Sequence, residues 1–130
     1  MPLVRFDMIK NVRTPEEIGQ ILSITQETII NNFNVPIRDC YQIVTQHERY
    51  EMVIQDTGLG IERSDKVLVL SLTSRKRKKE DILKFYKQLA DNLSKASLVK
   101  PNDLVINMTF NGDDGWSFGL GEAQFINGKL

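Results

Sequence analysis

Displaced by 64 positions, the sequence falls onto itself in three successive blocks. Ile18, Ile21, Leu22 and Ile29 land on Ile82, Phe85, Tyr86 and Leu93. Leu3, Val4, Phe6 and Met8 land on Val67, Leu68, Leu70 and Leu72, and Asp39 and Thr45 land on Asp103 and Thr109. A single offset that carries a strand pattern, a helix pattern and a second strand pattern predicts two copies of one β-α-β unit. The strands are read at Leu3–Ile9, Tyr41–Gln46, Lys66–Thr73 and Asp103–Phe110, the third apolar enough to be central. The first helix opens at Thr14-Pro15-Glu16-Glu17, a capping hydroxyl followed by a proline and two acids, and stops near Asn34 ahead of Val35-Pro36. The second spans Lys78–Ser97. Each unit pairs its strands in parallel through its helix. Joined edge to edge, the units predict an α+β fold: a four-stranded mixed sheet with both helices on one face. The units cover about 1–60 and 61–112 of a single domain 1–130, and a glycine- and aromatic-rich tail occupies 113–130. The strands read as too apolar to leave the other sheet face in water, which predicts oligomerisation around a shared core.

Several classes of function drop out. The chain of 130 residues carries 17 basic and 17 acidic residues, so no net field recruits nucleic acid or membrane. No stretch approaches the roughly 18 apolar residues of a membrane span, and no export signal is read, which predicts a cytoplasmic protein. Cys40 and His47 are each the only residue of their kind. A zinc site or a Ser-His-Asp triad is thereby nearly eliminated, and no metal or cofactor is expected. Cys40 reads as a small buried thiol.

What remains points to two segments. Met1-Pro2 opens directly into the first strand, and removal of the methionine, usual when proline follows, would leave Pro2 as a free secondary amine. Such a nitrogen can serve as general acid, general base or nucleophile toward a carbonyl. Arg75-Lys76-Arg77-Lys78-Lys79 puts five cations where the third strand gives way to the second helix. Cations at a helix N-terminus cost roughly 0.3–1 kcal/mol each when exposed, so stability alone would not choose them. A bound carboxylate would reverse the sign. The repeat sets Pro2 opposite Lys66, which reads as the first and third strands starting on the same side; the relative direction of those strands decides whether Arg75 and Arg77 reach Pro2. Asp39, ahead of the second strand, is placed either to cap a turn or to position a water or a substrate hydroxyl. Trp116 and Phe118 alternate with glycines in the tail, suited to wall an apolar pocket or to cover a sheet edge.

Together these residues resemble the tautomerase superfamily, and within it the malonate semialdehyde decarboxylase-like branch. The resemblance is carried by Met1-Pro2-Leu3-Val4-Arg5-Phe6-Asp7, Arg38-Asp39-Cys40-Tyr41-Gln42-Ile43-Val44, Asp56-Thr57-Gly58-Leu59-Gly60, Thr73-Ser74-Arg75-Lys76-Arg77 and Gly115-Trp116-Ser117-Phe118-Gly119, in order along nearly the whole chain. It implies a homotrimer of doubled β-α-β subunits acting on a small oxo acid. It also implies Pro2 as the key amine, Asp39 as its polar partner, Arg75 and Arg77 as carboxylate binders, and Trp116, Phe118 and Phe125 as a hydrophobic wall. On that reading a cationic Pro2 supports decarboxylation or hydration of a 3-oxo acid, and a neutral Pro2 supports keto–enol isomerisation of a 2-oxo acid. A retained Met1 would turn the Pro2 nitrogen into an amide and leave a non-catalytic trimeric binding protein with a vestigial site.

Overall fold

The computed structural model describes all 130 residues. Its elements run β1 (Leu3–Ile9), α1 (Pro15–Phe33), β2 (Tyr41–His47), β3 (Leu68–Arg75), α2 (Lys79–Lys95) and β4 (Leu104–Asn111). They form one mixed sheet of order β2-β1-β3-β4, in which β1 pairs β2 in parallel, β3 pairs β4 in parallel, and β1 meets β3 antiparallel. Alternate residues of the central strands (Val4, Phe6 and Met8; Leu68, Leu70 and Leu72) are buried, as are Ile21 and Ile29 of α1 and Phe85, Leu89 and Leu93 of α2. This is one apolar core between the sheet and a helix layer. No helix is long and apolar enough to cross a membrane.

The repeat is a pseudo-two-fold axis in space. Phe6 pairs with Leu70 across the β1–β3 junction, and Asn92 Nδ2 donates to Thr28 Oγ1 at 3.1 Å between the helices. Both pairs lie 64 positions apart, so the axis passes between each residue and its own counterpart. The helices differ at their starts. Thr14 and Glu17 close a reciprocal capping box on α1, whereas Lys78 gives α2 no side-chain cap.

Two expectations change. The antiparallel junction puts the starts of β1 and β3 at opposite ends of the sheet, not on the same side, and this is what carries the end of β3 to the start of β1. The outer sheet face is mixed, not apolar. Arg5, Asp7, Thr45, His47, Ser71, Thr73, Asn107 and Thr109 alternate with the core-facing residues, and His47 Nε2 lies 2.7 Å from Asp7 Oδ1. Strands hydrophobic on one face need not be so on both, and the apolar helix-facing rows here are Val4, Phe6 and Met8 of β1, Leu68, Leu70 and Leu72 of β3, and Leu104, Ile106 and Met108 of β4.

Candidate active site

One end of the sheet gathers the starts of β1 and β2 and the ends of β3 and β4. The register Leu3↔Tyr41 brings Asp39 beside the chain terminus, and Leu3↔Thr73 brings Ser74 to Arg77 to its other side. Pro2 is buried there, and so is Asp39, 8% exposed. The loop that carries Asp39 is fixed by its own N–H donating to the Pro36 carbonyl at 3.0 Å, and by Gln26 Nε2 donating to the Asp39 carbonyl at 3.0 Å. The Asp39 carboxylate accepts from the Met1 terminal amine at 2.5 Å. Burial lowers the pKa of that amine from its ordinary 8.0; Arg77 and Arg75 push the same way, against the bond to Asp39. While Met1 is attached, the Pro2 nitrogen is a peptide nitrogen without basicity.

The two arginines are held differently. Arg77 donates from Nε to Ser74 Oγ at 3.0 Å and from Nη1 to the Phe33 carbonyl at 3.1 Å, the last residue of α1, where a cation complements the helix dipole. Burial and the nearby Arg75 lower its pKa, yet a guanidinium stays charged. Arg75 is half-exposed. Its Nε lies 3.1 Å from Asp113 Oδ1, and its guanidinium carbon sits 4.2 Å from the centre of the Phe125 ring.

The tail supplies the wall. Trp116 stacks on Phe118 at 5.4 Å, Phe118 stacks on Tyr41 at 5.6 Å, and Phe118 meets Phe125 edge-on at 5.4 Å. A turn after β4 aims this group: Asn111 Oδ1 accepts from Trp116 Nε1 at 2.6 Å, and a Cβ on Gly115 would stand 2.7 Å from Asn111 Nδ2. Beneath Phe118 lies a cavity of about 210 Å³ lined by Met1, Pro36, Arg38, Asp39, Tyr41, Phe118 and Leu130.

All seven residues singled out from the sequence (Pro2, Asp39, Arg75, Arg77, Trp116, Phe118 and Phe125) therefore meet at one end of the molecule. Four more were not foreseen. Arg38 and Tyr41 flank Asp39 in the same motif, and that adjacency could have nominated them. Asp113 sits in the turn after β4, and Leu130 reaches the cavity through the fold-back of the tail, with its N–H donating to the Gln124 carbonyl at 3.2 Å. Cys40 is exposed instead of buried, because it lies in the loop ahead of β2 with no layer above it. Desolvation and the neighbouring Asp39 carboxylate push its thiol up.

Residues 39–119 match the family described as "Tautomerase enzyme". The chain is also 42% identical, over the full length of both proteins, to the probable tautomerase YrdN of Bacillus subtilis (strain 168). The chain belongs to the tautomerase family. Among solved tautomerase structures, a malonate semialdehyde decarboxylase described in terms of its decarboxylase and hydratase activities superposes with a TM-score of 0.94 at 39% identity, covering 98% of each chain. The tautomerase fold recurs in a fused 4-OT symmetric trimer at 15% identity, TM-score 0.73, covering 92% of this chain and 94% of that one.

Proposed function

We propose that this tautomerase-family enzyme, once Met1 is removed, uses the Pro2 amine to decarboxylate a small 3-oxo acid, as in the malonate semialdehyde decarboxylases. The observation that carries this reading is the convergence of the chain terminus, Asp39, Arg75 and Arg77 at one end of the sheet, under an aromatic wall. Arg75 and Arg77 bind the substrate carboxylate, and Pro2 either donates to the carbonyl oxygen as an ammonium or, as the neutral amine, adds to the carbonyl and expels water to form an iminium. The bond to the carboxylate carbon then breaks. Carbon dioxide leaves, and the electron pair passes into the carbonyl or iminium as an enol or enamine, which takes a proton on carbon. Asp39 orients a water or the hydrated carbonyl. Trp116 and Phe118 keep solvent from the carboxylate as its charge is lost. The protein acts as a cytoplasmic homotrimer, with the mixed outer sheet faces turned toward one another.

A second reading, keto–enol isomerisation of a 2-oxo acid, is favoured by the identity to a probable tautomerase. There a neutral Pro2 moves a proton between carbon and oxygen while the arginines hold the acid. The two readings separate on pH. Activity that needs the cation falls as pH rises through the Pro2 pKa, whereas activity that needs the free amine rises. Turnover of 3-oxopropanoate and of 2-oxo acids by wild type, Pro2→Ala and Arg75→Ala tests the site. Both substitutions are expected to lower kcat/KM by about 100-fold or more, and equal turnover by the three proteins ends the proposal.

A further inference from the structure

The donors of the two guanidinium groups are unequally committed. Arg77 has spent Nε and one Nη on Ser74 and the Phe33 carbonyl. Arg75 has its face on Phe125 and its Nε edge against the Asp113 carboxylate, so only its Nη edge is left. The site thus already contains one carboxylate beside the group that would receive another. Asp113 is fixed there by the turn in which Gly115 donates to the Gly112 carbonyl at 3.0 Å and Trp116 bonds Asn111. Asp113 and Trp116 therefore belong to one rigid piece.

We infer that Asp113 is a specificity-determining residue that restricts the site to acids with a single negative charge. The inference rests on the carboxylate-binding role proposed for Arg75. Asp113 lies against the Nε edge of the guanidinium and repels a further anionic group, so a substrate with a second carboxylate meets a fixed negative charge beside the group that binds its first. Coulomb energy is proportional to ligand charge, so a dianion feels Asp113 about twice as strongly as a monoanion, and its affinity penalty is the square.

Trp116 is the only tryptophan and stands in the wall, so its fluorescence reports binding without turnover. The probes are propanoate and malonate, inert acids of equal carbon count that differ by one carboxylate, titrated at low ionic strength into the full chain. Asp113→Asn, which leaves Arg75 stacked on Phe125, is expected to tighten propanoate about threefold and malonate about tenfold. Asp114→Asn, the neighbouring acid with no ion pair, shifts neither. Equal factors for the two acids, or no change in either, overturn the inference while the Arg75 role stands. Arg75→Ala is expected to weaken both acids about tenfold; if it weakens neither, the carboxylate-binding role falls, and this inference with it.

Discussion

The pseudo-two-fold gives the sheet two ends built from matching positions, and the ends have diverged in what they can do. At one, Asp39 faces the chain terminus and Arg77 reaches across from the second unit. At the other, Asp103 and Arg13 stand 64 positions from those residues, and Lys66 stands where Pro2 would be. Asp103 is 2% exposed, its carboxylate accepting from Ser64 N at 2.7 Å and from Ser64 Oγ at 2.6 Å. Arg13 is buried and donates to the Lys66 carbonyl, with its Nε and Nη1 unpartnered. The scaffold is the same, but Lys66 is held between peptide bonds, whereas the removal of Met1 proposed above frees the nitrogen of Pro2. A secondary amine exists only where a proline starts a chain. The matching end, sealed by peptide bonds, uses its acid and its arginine to tie the connector between the units.

Extending the amine end should make the two ends alike in the sharpest way. A short peptide fused ahead of Pro2 turns its nitrogen into an amide, as at Lys66, and kcat/KM on a small oxo acid is expected to fall roughly 1000-fold. Lys66→Ala should leave it within about twofold. Next comes the pair of acids. Asp103→Ala removes a buried carboxylate and both of its Ser64 bonds and is expected to cost roughly 2 kcal/mol in denaturant unfolding. Asp39→Ala should cost less than half of that while lowering turnover. A reversed order would show that Asp39 is the structural member of the pair.

The helix starts differ by less. Thr14→Ala removes a capping box and should cost about 1 kcal/mol, whereas Lys78→Ser supplies a cap that α2 lacks and should gain a similar amount. Acid should reveal the same asymmetry. The Thr14 N–H holds the Glu17 carboxyl below its ordinary 4.5, so its contribution is present above that value and is lost as pH falls through the lowered folded pKa. Amide exchange in the first turn of α1 should therefore accelerate in acid more than in the first turn of α2. Equal acceleration would remove the distinction.

The fold was legible because the repeat offset and the apolar spacing agree at every element. β1 lies where its residues predict. β3 is displaced by two, Leu68–Arg75 against Lys66–Thr73. Apolar Val67 looks like strand, yet pairing begins only where Met8 faces Leu68, and Val67 N is drawn back to the Ser64 carbonyl at 3.3 Å. The site was legible in its residue types, since a terminal proline and paired arginines have few structural uses. It was not legible in its geometry: no local signal tells that β1 and β3 run antiparallel, and that junction alone brings Arg75 and Arg77 to Pro2. Nor could spacing expose Asp113 and Leu130, whose places depend on a tail that folds back over the sheet end.

Gly115 has the tightest tolerance in that tail, since its missing side chain is the space that the Asn111 amide occupies. One loop therefore carries both the aromatic surface and the acid beside Arg75, pivoting on a point with no slack for a methyl group. Anyone reshaping the pocket for a bulkier acid through this loop would retune its charge preference in the same stroke, and the two properties would have to be redesigned together.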